Sequence, residues 1–142
     1  MRIELIMTVL AGAAGGLVGT LWAGLVSAPL FAHWPALRPQ PWQPETAARL
    51  LTGAALYGLC GAAAGLLFWL SWGLIAVVST PWQVVGTVYG ALLFTASGLP
   101  TLGALALKGR PHHGVVAVLA AEGLVAAISA GVLCAYVWHR VA

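Results

Sequence analysis

Gly114-Val115-Val116-Ala117-Val118-Leu119-Ala120-Ala121-Glu122-Gly123-Leu124 opens an apolar run that continues to Trp138, with Glu122 as its single acidic residue. The run exceeds the roughly 20 residues that a helix needs to cross about 30 Å of hydrocarbon. A carboxylate at bilayer depth costs several kcal/mol unless it is protonated, paired or hydrated, so Glu122 is a candidate functional residue by position alone.

The rest of the chain has the same character. Of 142 residues, 61% are hydrophobic and only 6% are charged, and the mean hydropathy is +0.97. A soluble domain needs charge on about a quarter of its residues, so this composition excludes that class. A net charge of +3, from six Lys/Arg and three Glu, is too small and scattered for a nucleic-acid footprint. Cys60 and Cys134 both lie in apolar runs, and two packed thiols are expected rather than a disulfide.

Four apolar runs predict an all-α integral membrane protein: a single domain over 1–142 with helices at about 5–28, 47–72 (extending to 78), 84–107 and 114–138. Backbone polar groups in lipid must be satisfied within the segment, which selects helices. The alternating ten-residue segments of a barrel are absent. Val26-Ser27-Ala28 has the small residues of a cleavage site, but Pro29 follows directly, so a retained first helix is expected. The segment from Phe31 to Glu45 holds four prolines in ten residues and reads as an extended interfacial connector. Ser97-Gly98-Leu99-Pro100 predicts a kink in the third helix.

With four crossings the termini share a side. Arg38, Arg49, Lys108 and Arg110 lie on the opposite one, against Arg2 and Arg140. The positive-inside rule then puts the termini outside a bacterial-type inner membrane, in a multi-pass arrangement. Arg38, Lys108, Arg110, His112 and His113 form a basic side suited to lipid headgroups. No metal-ligand spacing is present, and neither metal nor cofactor is expected.

Small residues four apart allow close helix approach. They occur as Gly12/Gly16 and Gly15/Gly19 in the first helix, Gly61/Gly65 in the second, Gly86/Gly90 in the third, and Gly123, Ala127 and Gly131 in the fourth. The segments Val18-Gly19-Thr20-Leu21-Trp22 and Val85-Gly86-Thr87-Val88-Tyr89 are alike, and at a similar offset Tyr57-Gly58-Leu59 stands opposite Glu122-Gly123-Leu124. That pattern suggests two tandem helical hairpins, with Tyr57 and Glu122 at matching positions.

At 1.5 Å per residue, Glu122 lies roughly 13 Å beyond His113. Arg49 and Tyr57 enter from the same side and are its candidate partners. Three readings of Glu122 follow: a proton or cation site, a neutral hydrogen bonder between helices, or a contact to another subunit. No nucleophile–base–orienter set is present, so an enzyme is not expected. The expected function is a non-enzymatic oligomer or accessory subunit of a membrane complex, packing through its glycines. The partners are then the lipid bilayer and copies of itself or other membrane subunits, with no nucleic acid. The alternative is a small proton-coupled transporter using Glu122.

Overall fold

The computed structural model describes residues 2–34, 47–72, 81–109 and 113–141, all but Trp34 and Pro81 in helices. Helix α1 (Arg2–Trp22) runs through a π-helical turn (Ala23–Ser27) into α2 (Ala28–His33), and α3 (Ala47–Trp72) follows. Helix α4 (Trp82–Leu93), a second π-helical turn (Phe94–Gly98) and α5 (Leu99–Gly109) form the next rod, and α6 (His113–Val141) closes the chain. Four of the resulting spans are long and apolar enough to cross a membrane: Ile3–His33, Ala47–Ser71, Trp82–Leu107 and Gly114–Arg140.

The second and fourth spans agree closely with the sequence reading. The first does not stop at 28, because the helix continues through Pro29 to His33. The reason is local. The Ala28 N–H bonds five residues back to Ala23 O, widening the turn ahead of the proline. A proline in a regular α-helix clashes with the carbonyl four residues earlier, and the wider turn relieves that clash. The kink expected at Pro100 takes the same form, with the Leu99 N–H bonded to Phe94 O. Residues 73–78, the proposed extension of the second helix, lie outside the described residues, as does the proline-rich part of the first connection.

The first span packs against the second and the fourth, and the fourth also packs against the third. Glycines set these distances. A Cβ on Gly12 or Gly16 would fall on backbone of the second span, at Gly61 and Tyr57, and one on Gly65 would lie 2.5 Å from Thr8 O. On the other face of α1, Gly15 meets Ala130 and Gly19 meets Ala126 and the Tyr57 ring. Gly86 and Gly90 meet the fourth span at Val132 and Ile128, and Gly131 meets Gly86. Gly123 differs: its neighbour is the Phe94 ring, 3.2 Å from where a Cβ would stand.

The two hairpins therefore join along the first and fourth spans, while the second and third have no comparable helix contact. An exact twofold relation along the membrane normal would pack those two pairs alike. Tyr89 bridges the wider gap. Its hydroxyl donates to Ala64 O at 2.6 Å, and its ring meets Phe68 edge-on at 5.0 Å between centroids. Phe68, Tyr89, Cys134 and Ala135 form the buried core at this end. Cys134 is fully buried, whereas Cys60 is exposed on the outer face of α3, so only one thiol is packed as the sequence suggested. Leucines such as Leu10, Leu17, Leu59 and Leu92 cover the outside, a surface that lipid satisfies and water does not.

Candidate functional site

Helix α3 presents Arg49, Thr52, Gly53, Leu56 and Tyr57 on one face, at the i, i+3, i+4, i+7, i+8 spacing of a single helical stripe. All five line a cleft of about 430 Å³, together with Thr20 and Ala23 of the first span and Glu122 of the fourth. Further along the same stripe come Gly61 and Gly65, where α1 and α3 are in backbone contact. Above Tyr57 the helices part. The nearest atom to a Cβ on Gly24 is the Leu50 side chain at 3.8 Å, and a Cβ on Gly53 would meet nothing within 4 Å. The cleft is thus a wedge closed by glycine packing at one end. Its open end lies toward the first and third connections. The π-helical turn begins at Ala23, which lines the wedge at the level where the helices diverge.

Glu122 and Tyr57 meet at the closed end. The Tyr57 hydroxyl donates to Glu122 Oε1, joining the second and fourth spans. Both side chains are partly buried. Arg49 lies two helical turns nearer the mouth, about 12 Å along the axis from Tyr57, and lines the same cleft. Of the two partners that the sequence offered for Glu122, Tyr57 is bonded to it, and Arg49 lines the same cleft nearer the mouth.

Two more residues belong to the site that sequence reasoning did not assign to it. Thr52 stands one turn from Arg49 and bonds back to Ala48 O at 3.0 Å. Thr20 is the informative one. Thr8, Thr52, Thr87, Thr95 and Thr101 each donate to the carbonyl four residues back, the usual resort of a helical threonine. Thr20 Oγ1 is buried and has no partner among the described residues. The signal for Thr52 was available, since it lies at helical spacing between Arg49 and Tyr57. Thr20 could not be found that way, because the first span is apolar all round and does not declare which face meets the cleft.

The glycines named from sequence are spent inside the bundle, except that Gly123 accommodates a ring rather than a helix. Of the basic side, Arg38, Arg110 and His112 lie outside the described residues. Lys108 falls at the end of α5 and His113 at the start of α6. Among the described residues no three His, Cys, Asp or Glu side chains come together as a metal site requires. At the other end of the bundle Trp82 packs edge-on to Tyr136 at 5.1 Å. Arg140 sits 5.4 Å over the same ring, an aromatic and basic pairing suited to a membrane–water boundary.

Chemically, the cleft offers a carboxyl group bonded to a phenol and, nearer the mouth, a guanidinium, walled by leucine and alanine. That set can bind and orient a small polar molecule or hold a proton, and it contains no nucleophile activated by a base. No family model, curated protein or solved structure matches the chain.

Proposed function

We propose that this chain is a small multi-pass membrane protein whose working centre is the Glu122–Tyr57 pair, acting as a proton-coupled carrier of a small solute. The observation that carries this reading is the cleft itself, which collects Glu122, Tyr57, Thr20 and Arg49 in one open wedge. Ionisable residues at membrane depth face a cavity or pathway when they have a role in transport. Binding sites of transporters sit near mid-membrane, between helices that can part. The glycine grooves named from sequence serve contacts within the chain.

On this proposal the protein resides in a bacterial-type inner membrane with its termini outside, and the cleft opens toward the cytoplasm. The test is solute-dependent proton flux in liposomes containing the purified protein alone, scanned over small polar solutes and compared with Glu122→Gln. Acidification that needs Glu122 supports the carrier, and equal leak from both proteins refutes it.

A second reading, an accessory subunit or oligomer, draws on α5. Its Leu99, Gly103, Leu105 and Leu107 are exposed, so this half of the third span is free for a membrane neighbour. Co-purification with a fixed partner and no flux by the protein alone favours that role.

A further inference from the structure

Resting on the reading of the cleft as a carrier's solute site, we propose that the solute is a protonated amphipathic amine. Its ammonium N–H bonds to the second carboxyl oxygen of Glu122, and its apolar body fills the wedge.

Among the described residues the Glu122 carboxyl has one hydrogen-bond partner, the neutral phenol of Tyr57, which donates to Oε1. Oε2 has no partner among those residues, yet it is not shut away like the side-chain oxygens of Thr20 and Ser27. Glu122 lines the cleft, so Oε2 opens on that space. A carboxylate offers acceptor sites on both oxygens, and the phenol occupies only one of them. A charge-assisted bond from an ammonium is about twice as strong as one from a neutral donor. The site therefore favours a cation with at least one N–H over an alcohol of the same shape. An anion meets like charge there, and a quaternary ammonium has no donor to offer.

The rest of the lining says what the cation carries. A metal ion such as Ca²⁺ or Mg²⁺ takes about six oxygen ligands, and Thr52 spends its hydroxyl on Ala48 O. Ala23, Ala48, Leu50 and Leu56 supply apolar wall instead, and each CH₂ buried against it adds roughly fourfold in affinity. Gly53 leaves the room, since a Cβ there meets nothing within 4 Å. The volume of about 430 Å³ lies at the small end of ligand pockets. Glu122, Tyr57 and Arg49 are the titratable groups on these walls. Arg49 is exposed toward the mouth and has an interaction of its own, so it takes no part in holding the amine. Its backbone lies about 12 Å from Tyr57 along the helix. A like charge at that distance repels with roughly a quarter of the attraction of a carboxylate at about 3 Å.

The test is equilibrium dialysis of the purified full chain against radiolabelled phenethylamine, with empty micelles at equal detergent to subtract partitioning. Phenethyl alcohol, phenylacetate and the N-trimethylated amine compete as controls. The amine is expected to bind at least about tenfold more tightly than each control. Glu122→Gln should weaken it by about tenfold or more. Gly53→Leu fills the wedge and leaves the carboxyl in place, and it should weaken binding by a similar factor. Thermal unfolding verifies that each variant is folded; if Glu122→Gln is not, the ligand comparison and Gly53→Leu decide. Equal binding of the alcohol or of the trimethylated amine, indifference to Gly53→Leu, or no saturable binding up to about 10 mM overturns the proposal.

Proton flux in liposomes with the same amine separates this proposal from the reading it rests on. Saturable amine binding that needs Glu122, without amine-dependent flux, defeats the carrier and leaves the amine site standing. Flux that needs Glu122 and follows another solute, with no amine bound, does the reverse.

Discussion

Tyr57 and Glu122, 65 residues apart in the chain, are joined by a hydrogen bond from phenol to carboxylate that ties the second span to the fourth. Tyr57→Phe removes the hydroxyl that donates to that carboxylate oxygen. Interhelical hydrogen bonds of this kind in membranes are worth about 1 kcal/mol, so unfolding in a mixed-micelle titration should shift by that order. Glu122→Gln keeps an acceptor for Tyr57 and should unfold within about 1 kcal/mol of the wild type. A larger loss for the glutamine variant than for the phenylalanine variant would contradict this division of roles.

The glycines make opposite predictions according to what stands beside them. Gly12→Ala drives a methyl into the Gly61 carbonyl, and overpacking of that kind costs about 1–3 kcal/mol. Gly103→Ala meets nothing within 4 Å and gains helix propensity, up to about 1 kcal/mol. Reversible unfolding of the two variants should therefore move in opposite directions. Destabilisation by Gly103→Ala would show that α5 is covered.

Tyr89 bridges the second and third spans through both its ring and its hydroxyl. Tyr89→Phe retains the edge-on contact with Phe68 and loses only the bond to Ala64 O, a change of about 1 kcal/mol. Tyr89→Ala also empties part of the Phe68–Cys134 core, and aromatic-to-alanine losses run to about 3–5 kcal/mol. Near-equal unfolding of the two variants would mean the ring contributes little.

How much of this was visible beforehand differs from residue to residue. The number of spans follows from hydropathy and length, because lipid forces each run to satisfy its own backbone. Glu122 and Tyr57 are matched by the similar offset between two alike pairs of segments, and counting from His113 gives Glu122 its depth. The end of the first helix was missed at Pro29. A sequence marks the proline but not the wider turn at Ala23–Ser27 that carries the helix past it. Thr20 was missed for a related reason: side-chain direction around an all-apolar helix depends on its neighbours. The cleft arises where α1 and α3 diverge above Gly19 and Tyr57, a property of the pair of helices that neither segment contains alone.

Access to the cleft should be one-sided. Gly53 faces open space, so Gly53→Cys in a Cys60→Ser background should react with a membrane-impermeant maleimide from the side of the first and third connections. On the proposed orientation, inside-out vesicles label and right-side-out vesicles do not. The opposite pattern inverts the topology, and labelling from both sides removes the closed end of the wedge.

The proposed carrier depends on Glu122, which Tyr57 holds at the end of the cleft. The deciding measurement is solute-dependent proton flux into liposomes, recorded for wild type, Glu122→Gln and Gly103→Ala at equal protein. Flux is expected for the wild type and Gly103→Ala, and none above empty liposomes for Glu122→Gln. Undiminished flux through a folded Glu122→Gln would contradict it.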